Sequence, residues 1–278
     1  MSLFITSLNS GSNGNCYYIG NAHEAVLIDA GISCKETEKR IQRLGLSMQK
    51  VKAIFITHEH IDHIKGVEVL ANRHQLPVYI TAATLHNSHA RIHTHLVKPF
   101  RAYESIKIGG LAVTGFPKQH DAVEPHSFMI TGNGVTVGVF TDIGASCEHV
   151  ITNFRQCHAA FLEANYDEVM LEQGSYPIHL QRRIRGGNGH LSNRQALELF
   201  MAHRPAHMSH LLLSHLSKNN NNPELVTDLF SPFAKEMNIV IATRYKETAI
   251  YEVTDIRSKP KVIEKKKPER HASQPTLF

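Results

Sequence analysis

The sequence predicts an α/β protein built from two sheets covered by outer helices. Three observations lead there. Short apolar or alternating runs of strand length cluster in both halves of the 278-residue chain. Helical patterns are interspersed among these runs rather than gathered in one block. Hydrophobic residues make up 42 % and charged residues 20 %, the balance of a globular protein with a substantial core.

The elements follow in chain order. Runs at 4–8, 16–19 and 25–28 read as strands, joined by the turns Ser10-Gly11-Ser12-Asn13-Gly14-Asn15 and Gly20-Asn21. A helix is expected over 35–44, with Ile41 and Leu44 on its apolar face and Gly45 as its stop. A buried strand over 53–56, a helix around 67–71 and a short strand at 78–80 come next. The stretch holding His86, His89, His93 and His95 is polar and has no hydrophobic frame. Strands are then expected at 111–116, 127–131 and 135–140, a helix at 148–154 and a strand at 159–162. Ser192 or Asn193 caps a strong helix over 194–202. A strand at 211–213, a helix over 223–234 and strands at 239–242 and 249–253 close the domain, expected to span 1–255.

Composition excludes several classes. No apolar run approaches the roughly 18 residues that a membrane span needs, and the first residues lack the basic and apolar regions of a signal peptide. Cys16, Cys34, Cys147 and Cys157 show no paired spacing, so they read as reduced thiols of a cytoplasmic protein. The net charge of +5 has a single source. Residues 256–278 carry seven Lys/Arg against two Glu, and the rest of the chain is neutral. A basic tail expected to be disordered, not a basic globular surface, sets the overall charge.

Chemistry concentrates after the strand at 53–56, in His58-Glu59-His60-Ile61-Asp62-His63. Three His and one Asp within six residues form a dense donor set. His58 and His60, two apart in an extended turn, can point one way. Asp62 and His63 begin the next helix and can serve a neighbouring point. Diverging donors of this kind suit two metals a few ångströms apart. Imidazole and carboxylate without thiolate suit Zn²⁺, Mn²⁺ or Fe²⁺. A solvated polar loop is the competing reading, and the density of the motif argues against it. Other strand ends supply further donors: His120, Asp142, which could bridge both ions, and His215. His126 rivals His120 but lies farther from the strand end. Asp29, ending another strand, is better placed to orient the His loop than to bind metal.

These motifs, in this order, resemble the metallo-β-lactamase superfamily over residues 3 to about 253. The resemblance implies an αββα sandwich with a dimetal site at one sheet edge. It implies one metal on His58, His60 and His120, a second on Asp62, His63 and His215, and Asp142 shared. The later half narrows the branch. Gly189-His190-Leu191-Ser192-Asn193 and Leu162-Glu163-Ala164-Asn165-Tyr166 are similar to motifs of the tRNA 3′-processing endonucleases, with Leu162 and Asn165 where that family has His and Thr. Residue by residue, the pair that protonates the leaving oxygen there falls on His190 and Glu163. The opening Ser-Gly-Ser-x-Gly-Asn loop, the GHLSN run and Leu213 to Asn220 look like the YycJ-type (WalJ) subfamily. That likeness implies a phosphodiesterase acting on DNA, a 5′→3′ exonuclease serving DNA repair. The 73-residue spacing from Asp142 to His215 leaves no room for a large inserted clamp domain.

The chemistry is coherent from first principles. Two cations lower the pKa of bound water and take charge developing on the phosphate, while the departing alkoxide needs a proton donor. Ser10, Gly11, Ser12, Asn13 and Gly14 could form a nest of backbone N–H groups for a phosphate, with an ordinary hairpin turn as the competing reading. Lys218 and Asn219 could contact a neighbouring phosphate, against a solvated loop. For His190 the competing reading is an exposed residue before a helix cap. Two other functions stay open: hydrolysis of a small phosphodiester or ester, favoured by the neutral core, and a metal-binding adaptor, disfavoured by the complete donor set. Finally, Gln274, Leu277 and Phe278 at the chain end resemble the bacterial sliding-clamp-binding motif, which implies a clamp as partner.

Overall fold

The computed structural model describes residues 2–255. The basic tail, with Gln274, Leu277 and Phe278, lies outside the described residues.

The chain opens with β1 (Ser2–Asn9), β2 (Cys16–Gly20) and β3 (Ala25–Ile28), an antiparallel meander. Helix α1 (Cys34–Arg43) then crosses to β4 (Val51–Phe55), parallel to β3. Short helices α2 (Ile61–Ile64) and α3 (Val67–His74) precede β5 (Val78–Tyr79), and α4 (Ala82–Ser88) precedes β6 (Val97–Lys98). The second sheet begins with an antiparallel run of β7 (Ser105–Ile108), β8 (Leu111–Pro117), β9 (His126–Gly132) and β10 (Val135–Phe140). After α5 (Glu148–Phe154), β11 (Ala159–Glu163) runs parallel to β10. Three helices, α6 (Glu168–Gln173), α7 (Ile178–Arg185) and α8 (Asn193–His203), lead to β12 (His210–Ser214). Helix α9 (Pro223–Phe230), β13 (Asn238–Ile241) and β14 (Tyr251–Thr254) finish the domain. Strand β14 returns to pair antiparallel with β1, so each sheet has seven strands.

Strand periodicity explains the layering. Val26 and Ile28 point into a central core with Val137, Val139 and Phe161 of the other sheet. Their neighbours Ala25 and Leu27 face a second core with Ile41 of α1 and Leu70 of α3. On the far side, Phe140, Leu162 and Leu213 pack with Leu199 and Phe200 of α8 and Phe230 of α9. Successive side chains on a strand alternate faces, so strands buried on both sides become continuously apolar. The result is helix, sheet, sheet, helix, as expected.

Local chemistry sets several boundaries. Ser33 caps α1 by accepting from the Glu36 amide. Ser192 and Gln195 form a reciprocal capping box on α8. Helix α9 stops at Phe230 rather than 234, because Ser231-Pro232 turns into a tighter 3₁₀ segment and proline cannot continue the α ladder. The polar stretch after Ile80 does contain a helix, α4, started by Thr81 accepting from the Thr84 amide. Strand β7 and helices α6 and α7 escape a hydrophobic-pattern reading, since α7 buries only Gln181.

Candidate active site

The site gathers at the carboxyl ends of strands from both sheets, the usual location in open α/β folds. Asp29 follows β3, the His58–His63 segment follows β4, and Asp142 and His215 follow β10 and β12. Asp29, Asp142 and His215 have φ of 62°, 54° and 59°, an unfavourable left-handed conformation for non-glycine residues. Such strain persists where the surroundings over-determine it. Gly31 is needed here, because a Cβ would stand 1.6 Å from the Asp62 carbonyl oxygen.

Four of the five histidines are fixed from behind. His63 Nδ1 lies 2.7 Å from Asp29 Oδ2, and Asp29 Oδ1 also accepts the Thr57 amide at 2.9 Å. Thr57 Oγ1 contacts His58 Nδ1 at 2.8 Å. His120 Nδ1 donates to the Gly189 carbonyl at 3.0 Å. His215 Nδ1 meets Glu163 Oε1 at 3.0 Å. These bonds turn the other ring nitrogens inward. His58 Nε2 stands 3.1 Å from His60 Nδ1, which stands 3.3 Å from His120 Nε2. Beside them, Asp62 Oδ2 is 3.5 Å from His63 Nε2 and 3.4 Å from His215 Nε2. Asp142 reaches both groups: Oδ2 is 3.1 Å from His63 Nε2, and Oδ1 is 3.5 Å from His215 Nε2 and 3.9 Å from His120 Nε2.

This arrangement fits cations. His58 and His120, whose Nδ1 atoms are engaged elsewhere, both turn an Nε2 lone pair to His60 Nδ1, which can donate to one of them at most, and a cation between the three satisfies all. A tetrahedral ion with ligands at about 2.0–2.2 Å sets its donor atoms about 3.3–3.6 Å apart, the spacing seen here. Asp142 Oδ2 is buried without a hydrogen-bond donor. Electrostatics make the same demand. Burial disfavours a charged His215, yet Asp142, Asp62 and Glu163 outweigh it and push its pKa up to about 10. Burial likewise opposes charge on His63, and Asp142, Asp29 and Asp62 drive its pKa up. Burial pushes His120 down to about 4, with the charges of Lys118 and His190 adding to it against the pull of Asp142. His58, His60 and His120 form one group able to hold a metal, and Asp62, His63 and His215 another.

A second device adjoins the first. Glu163 is fully buried on β11, and its Oε1 lies 2.7 Å from His190 Nδ1. Its Oε2 accepts the Ile143 and Leu191 amides at 2.7 and 3.3 Å. Burial favours neutral Glu163, but His190 and His215 outweigh it and hold its pKa down at about 2. The ionised carboxylate accepts a hydrogen bond from His190 Nδ1 and leaves Nε2 for the cleft, which His190 lines.

The cleft has a volume of about 360 Å³. His60, Asp62, His120, Asp142 and His215 line one side, with Tyr176, Leu180, Arg183 and Ile184 from α7 and the turn before it. Three amides of the opening loop are engaged within the protein. The amides of Ser10, Gly11 and Gly14 go to the Thr243 carbonyl, Asn15 Oδ1 and the Gly11 carbonyl. Ser10 Oγ accepts the His215 amide at 2.7 Å, and Asn13 reaches the Arg244 carbonyl. The loop braces the site, and within it Ser12 reaches the cleft. Lys218 lines a smaller neighbouring cavity with Arg244, and Asn219 donates to the Tyr176 hydroxyl at 3.1 Å. His126 stays outside the cluster, set edge-on to Phe100 with its Nδ1 at the Glu124 carbonyl.

Sequence reasoning passed over several contributors. Thr57 precedes the His motif directly and joins Asp29 to His58. Asn15 Nδ2 lies 3.1 Å from both Asp62 Oδ2 and His63 Nε2. Asn165, where the endonucleases have Thr, donates to the His215 carbonyl at 2.8 Å. Lys118 is buried under the site and donates to the Thr141 carbonyl at 2.7 Å, next to Asp142. Adjacency to Asp142 in space, not in sequence, is what marks Lys118.

Comparison with known proteins agrees with this architecture. The family described as "Beta-lactamase superfamily domain" matches residues 24–215. The exodeoxyribonuclease YycJ of Bacillus anthracis is 32 % identical over 249 residues, covering 88 % of this chain and 94 % of the relative. The exodeoxyribonuclease WalJ of Streptococcus pneumoniae is 31 % identical over 78 % of this chain and 83 % of its own. Among solved structures, the metallo-β-lactamase-fold protein YhfI of Bacillus subtilis superposes with a TM-score of 0.69 at 17 % identity, over 91 % of this chain and all of that one. Human tRNase Z, short form, superposes with a TM-score of 0.58 at 16 % identity, over 88 % of this chain and 98 % of that one. The chain belongs to the metallo-β-lactamase superfamily and, within it, to the YycJ/WalJ-type subfamily. Its fold and its His/Asp clusters are those of a metal-dependent hydrolase. Among the described residues no helix is long and apolar enough to cross a membrane.

Proposed function

We propose that the protein is a dinuclear-metal phosphodiesterase that degrades DNA as a 5′→3′ exonuclease in cytoplasmic DNA repair. The observation that carries the chemistry is the convergence of five inward-facing imidazole nitrogens and two carboxylates. His58, His60 and His120 would hold one ion, Asp62, His63 and His215 the other, and Asp142 would serve both. Zn²⁺ or Mn²⁺ suits this donor set best, with Fe²⁺ also compatible. When bound, the ions supply a nucleophile at neutral pH and neutralise charge on the phosphate.

The chain's own residues supply the rest. Asp29 and Thr57 hold the imidazoles in the tautomer that leaves an inward lone pair. His190 carries a proton at Nε2 toward the cleft, and Glu163 steadies the imidazolium through Nδ1. That proton goes to the departing sugar oxygen, which a phosphodiester needs and an ester of a good leaving group does not. DNA as substrate is supported by the two exodeoxyribonuclease relatives. In the tail, Gln274, Leu277 and Phe278 would tether the enzyme to a sliding clamp and raise its concentration on DNA. A peptide of residues 268–278 should then bind clamp with micromolar affinity, and replacing Leu277 and Phe278 by Ala should abolish the binding.

The deciding experiment incubates purified protein and Mn²⁺ or Zn²⁺ with end-labelled single-stranded DNA, RNA and bis(p-nitrophenyl) phosphate. Stepwise shortening of DNA from its 5′ end is the expected result. Cleavage of the small diester alone would move the assignment to small-molecule hydrolysis, and no turnover would leave a binding protein.

A further inference from the structure

A donor cluster of a different kind lies outside the cleft, between two helices. Helix α1 carries Cys34 and Glu38 one turn apart, so both side chains lie on one face. Helix α3 packs beside it, and the two share the apolar core outside the first sheet through Cys34, Ile41, Leu70 and Ala71. His74 is the last residue of α3, and Gln75 ends the helix there in a left-handed turn with φ of 51°. His74 Nε2 donates to Glu38 Oε1 at 2.7 Å, and Cys34 Sγ lies 3.7 Å from the same oxygen. A sulfur, an imidazole nitrogen and a carboxylate oxygen thus stand within 4.8 Å of one another. Among the described residues, no other cysteine stands in a group of three such donors.

The chemistry of the cleft makes no use of this cluster, since none of its members lines the cleft. Burial raises the Cys34 pKa and the charge of Glu38 raises it further, so the sulfur carries a proton. Two protons then hold the three groups together, one on sulfur and one on His74 Nε2. A divalent ion can take their place. The thiol proton passes to solvent, the imidazole keeps its proton at Nδ1 instead, and three lone pairs meet the ion. A tetrahedral Zn²⁺ with sulfur at about 2.3 Å and oxygen at about 2.0–2.2 Å sets those two atoms about 3.6 Å apart. The 3.7 Å from Cys34 to Glu38 matches that spacing. His74 has to draw back from Glu38 by about 0.7 Å to do the same, and both side chains, each 26 % exposed, have room for it. Arg73 is the competing cation, 3.4 Å from Glu38 Oε1, and its largely exposed side chain can swing into water.

We propose that Cys34, Glu38 and His74 hold a third divalent ion, with Zn²⁺ as the species their donor set fits, and that this ion ties α1 to α3. Thiolate with imidazole selects Zn²⁺ over Mg²⁺, Ca²⁺ or Mn²⁺. The fourth position is left to water, because His74 also borders an open hollow with Met48 and Lys52. The ion binds last and most weakly. It lacks the shared carboxylate of the cleft, and it must displace a thiol proton and Arg73. Zinc buffered at the level that fills the paired sites leaves this one empty. The proposal does not depend on what the cleft hydrolyses.

The test titrates the metal-stripped full chain, its thiols kept reduced by a phosphine, with Co²⁺. The cleft offers no sulfur, so ions bound there give no thiolate charge-transfer band in the near ultraviolet. That band should appear once the paired sites are full, and added Zn²⁺ should bleach it. Cys34→Ser should lose the band and the third ion while keeping the turnover of bis(p-nitrophenyl) phosphate. His74→Gln, at the surface, carries the test if Cys34→Ser fails to fold. It should weaken the third Co²⁺ by about tenfold or more, since even a group behind a ligand is worth that much. In circular dichroism melting, the third Zn²⁺ should raise the melting temperature of the unaltered protein and leave that of His74→Gln unmoved at the same free zinc. Absence of the band at every Co²⁺ level would overturn the proposal. So would a band that survives Cys34→Ser, a third-ion affinity that His74→Gln leaves unchanged, or a melting temperature that the third Zn²⁺ does not raise.

Discussion

The two sides of the cleft are built on opposite principles. The metal-facing side is buried: His58, Asp29, His63 and Glu163 have no exposed surface, and the outward ring nitrogens of His58, His63, His120 and His215 all have partners. The α7 side is exposed, with Ile178 63 % accessible and a single buried residue in eight. Preorganisation matters where charge develops, so the reacting side is locked by hydrogen bonds from both sheets. The difference separates the side that sets the chemistry from the side that is open to solvent, and mutations should divide the same way.

The largest effect is expected at the shared carboxylate. Asp142→Ala removes the carboxylate that faces the inward nitrogens of both histidine groups, so turnover should vanish and metal content should fall, as atomic emission would record. His60→Ala should do the same through the other group. Full activity with metal retained in either variant would break the division at its base. His190→Ala sharpens it, because metal content should remain while DNA cleavage slows by about 10²–10⁴-fold. The defect should shrink on bis(p-nitrophenyl) phosphate, whose leaving group needs no proton. Asp29→Asn, one bond behind His63, should weaken metal affinity by about 10–100-fold in a competitive chelator titration. An unaltered affinity would mean that the buried bond is only structural. At the far end of the scale, Ile178→Ala on the exposed face of α7 should change unfolding free energy by less than about 0.5 kcal/mol. A larger loss in chemical denaturation would show that α7 is part of the core.

The same contrast explains what could be read in advance. The buried side was legible because ligand chemistry is local in sequence: six consecutive residues hold four donors, and the others sit at strand ends marked by apolar runs. The layers were legible for a related reason, since strands buried on both faces are apolar throughout. Glu163 and His190 are 27 residues apart, and only the subfamily motifs connected them before the fold brought them to 2.7 Å. The opening loop has the composition of a nest, and the fold adds what composition does not carry: the amides of Ser10, Gly11 and Gly14 bond to Thr243, Asn15 and Gly11. Thr57, Asn15 and Lys118 act through contacts that no spacing rule predicts. Helix α7 has no apolar stripe to bury and its end is fixed by backbone bonds to the metal-site loops, so its pattern carried little signal.

The measurement that tests the central claim most directly is the metal stoichiometry of the full chain. Metal-stripped protein would be dialysed to equilibrium against buffered Zn²⁺ and the bound metal counted per chain by inductively coupled plasma mass spectrometry. Two groups of inward-facing donors joined by Asp142 predict saturation at two ions per chain. Saturation at one ion, or no specific binding, would contradict a dinuclear centre and the mechanism built on it.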